Sequence, residues 1–288
     1  MAQYDTPVQP VSPEPPAVGR RKWPLAGAMA LDFVLALVAF VVLTLIVQLA
    51  FVGLRMAQQG LSLADLRDRL RDPGQALRLV GADGLFFTLL ATNAAFVLIT
   101  LIRLKWLRHE SLREFGFQAP RVLRLIAIGV GVGVLSLFVN GLASQLMQSV
   151  TEMPDQAAQF PLCQGDYLGQ ALLLVGAAVL APVGEEILFR GYIFNALRLN
   201  FANRPWGVPL AYIVSALLFA SVHSLSVTRG LLALLVPIFL IGLLLAWTMH
   251  RTKSLLPCII AHTINNGVAL VFLVLCINTP GMAGCPAL

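Results

Sequence analysis

The chain has 288 residues, 58% of them apolar and 12% charged, with a formal net charge of +6. Soluble domains carry about 25% charged residues, so this composition excludes a water-soluble globule and predicts a polytopic membrane protein without a separate soluble domain. The basic balance does not point to nucleic acid; it belongs to the cytoplasmic ends of membrane helices, as the positive-inside rule expects.

Residues 1–22 are polar and rich in proline (Pro7, Pro10, Pro13, Pro15, Pro16) and read as a disordered cytoplasmic tail. Arg20-Arg21-Lys22 then precedes an apolar run too long for the core of a signal peptide, and reads as the inside anchor of the first helix. A membrane helix needs about 20 apolar residues, which marks spans at roughly 26–53, 79–102, 123–147, 168–189, 207–223, 230–249 and 255–277. The expected fold is all-α, a polytopic membrane bundle of about seven to eight transmembrane helices, with residues 23–288 as a single transmembrane domain.

The connection near 103–124 is strongly basic (Arg103, Lys105, Arg108, Arg113, Arg121, Arg124), whereas that near 149–167 has Glu152, Asp155 and Asp166 and no Lys or Arg. The amino terminus and the first of these are therefore expected in the cytoplasm and the second outside. The arginines of 55–78 run against the rule, unless the segment is amphipathic and lies on the interface. With seven spans the carboxyl terminus is external, so Cys163 and Cys285 share the oxidising side and either pair or stay as thiols. No CxxC pair is present, which argues against a thiolate zinc site. Gly129, Gly133 and Gly141 are expected to allow close helix packing. Asp32, Asn93 and Asn140 read as interhelical hydrogen-bonding residues.

Three polar islands interrupt the apolar pattern: Glu185-Glu186-Ile187-Leu188-Phe189-Arg190, Phe219-Ala220-Ser221-Val222-His223 and His262-Thr263-Ile264-Asn265-Asn266. A charge in hydrocarbon costs roughly 2.5–3.5 kcal/mol on insertion scales, which singles out the first island as functional. A span that ends at 189 leaves Glu185 near the inner end of its helix, while His223 falls near the outer end of the next. A fourth helix running from about 168 to about 199 reconciles them and puts Glu185 near mid-membrane. Glu186 and Arg190 are at i and i+4 in the favourable orientation for an ion pair. Glu185 is turned about 100° away, left to face a cavity as a general base. Pro182 and Gly184 are expected to loosen this helix. The Phe219 ring is placed to pack over the His223 imidazole. His262 and Asn266 project from one helical face and can both donate to a developing oxyanion; Asn265 is the rival for the second of these roles. Taken singly, each string has a plain structural reading, as a helix-face ion pair or a packing histidine. His250, beside Arg251, reads as interfacial.

Glu185-Glu186-x-x-x-Arg190, Phe219-x-x-x-His223 and His262-x-x-x-Asn266, in that order, resemble the three motifs of the CAAX protease and bacteriocin-processing (CPBP or Abi) family of intramembrane endopeptidases, to which the type II CAAX prenyl proteases belong. The resemblance covers about residues 100–275, including the lead-in Leu112-Arg113-Glu114-Phe115-Gly116-Phe117. It implies a helical membrane fold with a water-filled site open towards the cytosol and the lipid. It further implies that Glu185 and His223 activate the attacking water, that His262 and Asn266 form the oxyanion hole, and that Glu186 and Arg190 support the site.

Glu185, His223 and His262 are also a conceivable zinc set with an open position for water. The lack of a His-Glu-x-x-His string, and Asn266 as a poor zinc ligand, favour a glutamate-activated water with no cofactor. The expected function is an endopeptidase that hydrolyses peptide bonds near the cytoplasmic membrane face. Its partners would be the lipid bilayer and a peptide or membrane-protein substrate, not nucleic acid. Few Lys and many Arg, Ala and Leu point to a GC-rich bacterium, hence to the inner membrane and to leader peptides or membrane proteins as substrates. The rivals are a catalytically silent membrane peptide-binding partner (immunity factor or scaffold) and, more weakly, a proton-coupled transporter, which predicts internal repeats that are not seen.

Overall fold

The computed structural model describes residues 25–71, 73–154, 160–227 and 229–279, so the expected tail at 1–22 and Cys285 lie outside the described residues. The chain is an all-helical bundle in which seven helices are long and apolar enough to cross a membrane. They are α1 (Leu25–Gln59), α3 (Pro73–Leu101, continued to Leu107 by a π-helical turn), α4 (Val122–Gln148), α5 (Tyr167–Asn200), α6 (Gly207–Val222), α7 (Leu231–Thr252) and α8 (Leu256–Asn278). The long fourth span demanded by the placement of Glu185 and His223 is thus present.

The helices differ in how much of their surface other helices cover. In α1 only 11% of the apolar window is buried and Leu45, Ile46 and Leu49 lie open, which suits a helix that faces lipid. In α5 the figure is 56%, so the motif helix is the centre of the bundle. The tightest pair is α4 with α8. A Cβ on Gly129 would meet Ile260 at 2.8 Å, and one on Gly133 would meet Ile264 at the same distance. Small residues let two backbones approach where lipid offers no hydrophobic drive. Gly141, expected to do the same, has nothing within 4 Å of its Cβ position and takes no part.

The short helix α2 (Leu63–Leu70) fills the connection at 55–78. It has no buried residue and starts in a capping box, with Ser62 Oγ accepting from the Asp65 N–H and the Asp65 carboxylate accepting from the Ser62 N–H. The Ser62 hydroxyl and N–H hold the Asp65 carboxyl below its usual range. Arg55, one of the arginines that run against the charge rule, is committed to Asp83 through two 2.8 Å bonds. At the opposite end, the lead-in segment clasps the α7–α8 turn. Phe115 is buried, Leu255 N–H donates to Gly116 O (3.0 Å) and Ser254 Oγ donates to Gln118 O (2.5 Å).

Cys163 is an exposed free thiol, whereas Cys276 is disulfide-bonded, which removes the Cys163–Cys285 pairing. Asp32 joins three helices: Arg103 of α3 donates to both its oxygens (2.6 Å each) and Tyr192 of α5 donates to Oδ2 (2.6 Å). Asp32 is 2% exposed, so removing its charge leaves Arg103 without its partner inside the bundle. The Asp32→Ala protein is expected to lose about 3 kcal/mol of stability, read as a lowered thermal unfolding midpoint in detergent. An unchanged midpoint would mean that the triad is not a structural tie.

Candidate active site

The motif helix is not a uniform α-helix. Two π-helical segments, Gly176–Leu180 and Ile187–Phe194, flank the α-helical turn Ala181–Glu186 that carries both glutamates. Such bulges recur at functional sites because they shift side chains out of the regular register. The freed carbonyls find partners: Asn195 Nδ2 donates to the Arg190 and Gly191 carbonyls, and Ser215 of α6 donates to Phe189 O. Gly184 has a packing role on this turn. Its missing side chain admits Asn93 of α3, whose Oδ1 lies 2.5 Å from the Cβ position.

Glu186 and Arg190 are both fully buried and form the expected ion pair, Nη1 to Oε1 at 2.6 Å. The same Glu186 oxygen accepts from His262 Nδ1 at 2.8 Å, so Glu186 grips α8 directly, while Arg190 reaches α6 through the Phe219 ring and α7 through Gly242 O. The neighbouring Glu185 is different. Its side chain is 16% exposed, and its buried Oε2 has no hydrogen-bond partner and lies 3.7 Å from His262 Nε2.

One ring organises the rest. Phe219 meets His223 (5.0 Å between centroids, 67°) and His262 (5.5 Å, 85°) edge-on, while the Arg190 guanidinium carbon lies 4.0 Å from its centroid. His223, at the start of the 3₁₀ turn that ends α6, bonds through Nδ1 to Phe219 O at 2.9 Å. A carbonyl only accepts, so Nδ1 carries the proton and Nε2 the lone pair. His262 has its Nδ1–H held in the same way, by Glu186, so its Nε2 is a donor only in a ring that carries a second proton.

His223, His262, Asn265 and Asn266 line a cavity of about 380 Å³, a size usual for ligand sites. The geometry brings all the motif residues together, with two departures. Glu185 is not among the lining residues and meets the cavity through His262. Asn266 spends one amide hydrogen on Ala177 O (3.2 Å), in the first π segment, and its Oδ1 accepts from Asn265 Nδ2 (3.4 Å). Asn265 is thereby a lining residue in its own right, with a buried Oδ1 that lacks a partner. Asn140, which reads as a packing residue in the sequence, lines the cavity as well. Neither signal was available from helical spacing, because both depend on which helix lies opposite. His250 sits at the other end of α7, against the Tyr212 hydroxyl at 2.8 Å.

Among the described residues no three His, Cys, Asp or Glu side chains converge as a ligand set for a metal ion.

Residues 167–268 match the family described as type II CAAX prenyl endopeptidase Rce1-like, a stretch that holds all the motif residues. The UPF0177 protein YxdF of Lactococcus lactis subsp. lactis is 30% identical over 126 residues, which cover 42% of this chain and 59% of that protein. An uncharacterized 24.3 kDa protein of Escherichia coli is 33% identical over 101 residues, covering 35% and 44% respectively. The chain thus spans less than two thirds of the length of either relative. No solved structure matches.

The two glutamates are expected to behave in opposite ways when truncated. Glu186→Ala strands a fully buried guanidinium and should cost about 3–5 kcal/mol. Glu185→Ala removes an oxygen with no partner and should stay within about 1 kcal/mol of wild type. Thermal midpoints of the two proteins in one detergent decide this; equal losses would refute the division of labour.

Proposed function

We propose, from the match of residues 167–268 to the type II CAAX prenyl endopeptidase family, that this integral membrane protein is an endopeptidase whose site lies within the bundle. The observation that carries the reading is the convergence of two histidines on one cavity, each with its Nδ1–H held by a different acceptor, Phe219 O for His223 and Glu186 for His262. His223, with Nδ1–H held by Phe219 O, presents the lone pair of Nε2, the form that takes a proton from water. His262, with Nδ1–H held by Glu186, presents Nε2–H to an oxyanion when the ring carries a second proton.

In this reading His223 and Glu185 activate the water that attacks the scissile carbonyl. The proton taken from water is passed to the departing amine. His262 Nε2–H and the second amide hydrogen of Asn266 donate to the oxyanion. Glu186 and Arg190 hold His262 in place and do not touch the substrate. In this reading side chains alone activate the water, and the reaction uses no metal.

Host cells that carry wild type or Glu185→Gln at equal membrane levels are compared by the termini of all their peptides. Termini present only with wild type, and lost by a factor of at least about 10² in Glu185→Gln and His223→Ala, are the expected outcome. Identical termini in all three strains would instead make the protein a silent peptide-binding partner.

A further inference from the structure

A second cluster of side chains stands where α5 and α7 finish, away from the cavity. Gly191 of α5 lies against the turn between α7 and α8: a Cβ there would meet Leu255 Cδ1 and Phe115 O, both at 3.4 Å. Phe194, three residues on, stacks with Tyr212 of α6 (5.5 Å between centroids) and lies 6.2 Å from the His250 ring of α7. Arg198 follows Phe194 by four residues and Gly191 by seven, so it leaves α5 on that same face. Lys253 follows His250 by three residues, just past the end of α7. Both helices finish at this end, so the two cationic side chains step outward from one shared contact.

Neither cation is neutralised by a neighbour. Arg198 gives its Nε–H to Asn195 Oδ1 (3.1 Å), and among the described residues no carboxylate oxygen lies within ion-pair distance of Arg198 or Lys253. The acid that acts on Arg198 is Glu114, exposed on the lead-in segment. Arg251 adds a further charge, with its guanidinium carbon 5.6 Å from the Trp247 ring. Burial and the neighbouring Arg198 guanidinium hold the Lys253 ammonium below its usual range. Two half-buried cations side by side are unfavourable unless an anion joins them.

The backbone fixes one of the two. Lys253 has a φ of 54°, the left-handed conformation that glycine takes without strain at a helix end. Its N–H donates to Met249 O (2.8 Å), and Gln118 Nε2 donates to its carbonyl (3.1 Å), so the lead-in sets where the ammonium leaves the chain. The depth is that of lipid headgroups. The described tryptophans, Trp106, Trp206 and Trp247, all stand at this end and are about half exposed. Tryptophan collects at the boundary between headgroups and hydrocarbon.

We infer that Arg198 and Lys253, beside His250, bind a phosphate group, and that its source is the headgroup of an anionic phospholipid. The guanidinium offers forked N–H donors and the ammonium a compact charge, which together suit the oxygens of a phosphate. The site is independent of the endopeptidase reading.

The full chain, purified in a neutral detergent, is titrated with phosphatidylglycerol, phosphatidylcholine or inorganic phosphate. Bound lipid is counted by native mass spectrometry, and the thermal midpoint is followed in parallel. Phosphatidylglycerol is expected to bind about tenfold tighter than phosphatidylcholine and to raise the midpoint. Three variants each remove one positive charge. Lys253→Asn, in which asparagine tolerates the left-handed backbone, and Arg198→Gln should each weaken phosphatidylglycerol binding about fivefold. Arg204→Gln, on the exposed α5–α6 turn, should stay within about twofold of wild type. Equal affinity of wild type for the two lipids, or an equal loss in all three variants, overturns the site. A midpoint raised by inorganic phosphate and not by phosphatidylglycerol overturns the lipid as the source.

Discussion

A single oxygen holds the candidate site together. Glu186 Oε1 accepts from Arg190 on its own helix and from His262 on α8, with the carboxylate and guanidinium wholly out of contact with solvent. A lone carboxylate at that depth would be prohibitive, and so would a lone guanidinium. Each is tolerated because the other is present, and His262 is oriented as a by-product of that mutual need. The Phe219 ring completes the arrangement by giving its face to Arg190 and its surroundings to both imidazoles. Two motif strings on α5 and α8 are thus joined by charge, and the third joins them through an aromatic ring.

The π segments explain how one helix supplies so much. Glu185 and Glu186 sit on a short α-turn between two π-helical stretches, and the first of these offers the Ala177 carbonyl to Asn266. Along the second, every residue from Ile187 to Phe194 is buried, as befits a helix surrounded by α1, α3, α6 and α7. Irregular backbone is affordable in a bilayer only where protein takes up the freed carbonyls, which Asn195 and Ser215 do here.

Much of this was legible in the sequence, for identifiable reasons. Span positions followed from the length of apolar runs, since bilayer thickness sets a hard scale. The length of α5 followed from a conflict: Glu185 and His223 could share a site only if the fourth helix were long. The Glu186–Arg190 pair followed from helical spacing. What failed to show depends on the identity of the opposing helix. That Asn93 of α3 fills the space beside Gly184 is not visible in the sequence, and Gly141 looks like Gly133 until no neighbour is found. Helical spacing favoured Asn266 over Asn265 but could not show that Ala177 draws off one amide hydrogen of Asn266 while Asn265 also lines the wall. That Cys276, and not Cys163, is disulfide-bonded is likewise a matter of three-dimensional proximity.

The glycine contacts between α4 and α8 set which parts of the bundle can breathe. With Ile260 and Ile264 seated against Gly129 and Gly133, those two helices have no slack between them. Sliding α8 by less than a helical turn would drive a branched side chain into backbone, and packed interfaces of this kind shift in discrete steps or not at all. His262 and Asn266 therefore ride on a fixed beam. Across the cavity, Pro237 removes a backbone hydrogen bond from the first third of α7. The two sides of the cavity thus differ in kind: α4 and α8 meet glycine to isoleucine without a gap, while α7 carries a proline at the cavity wall.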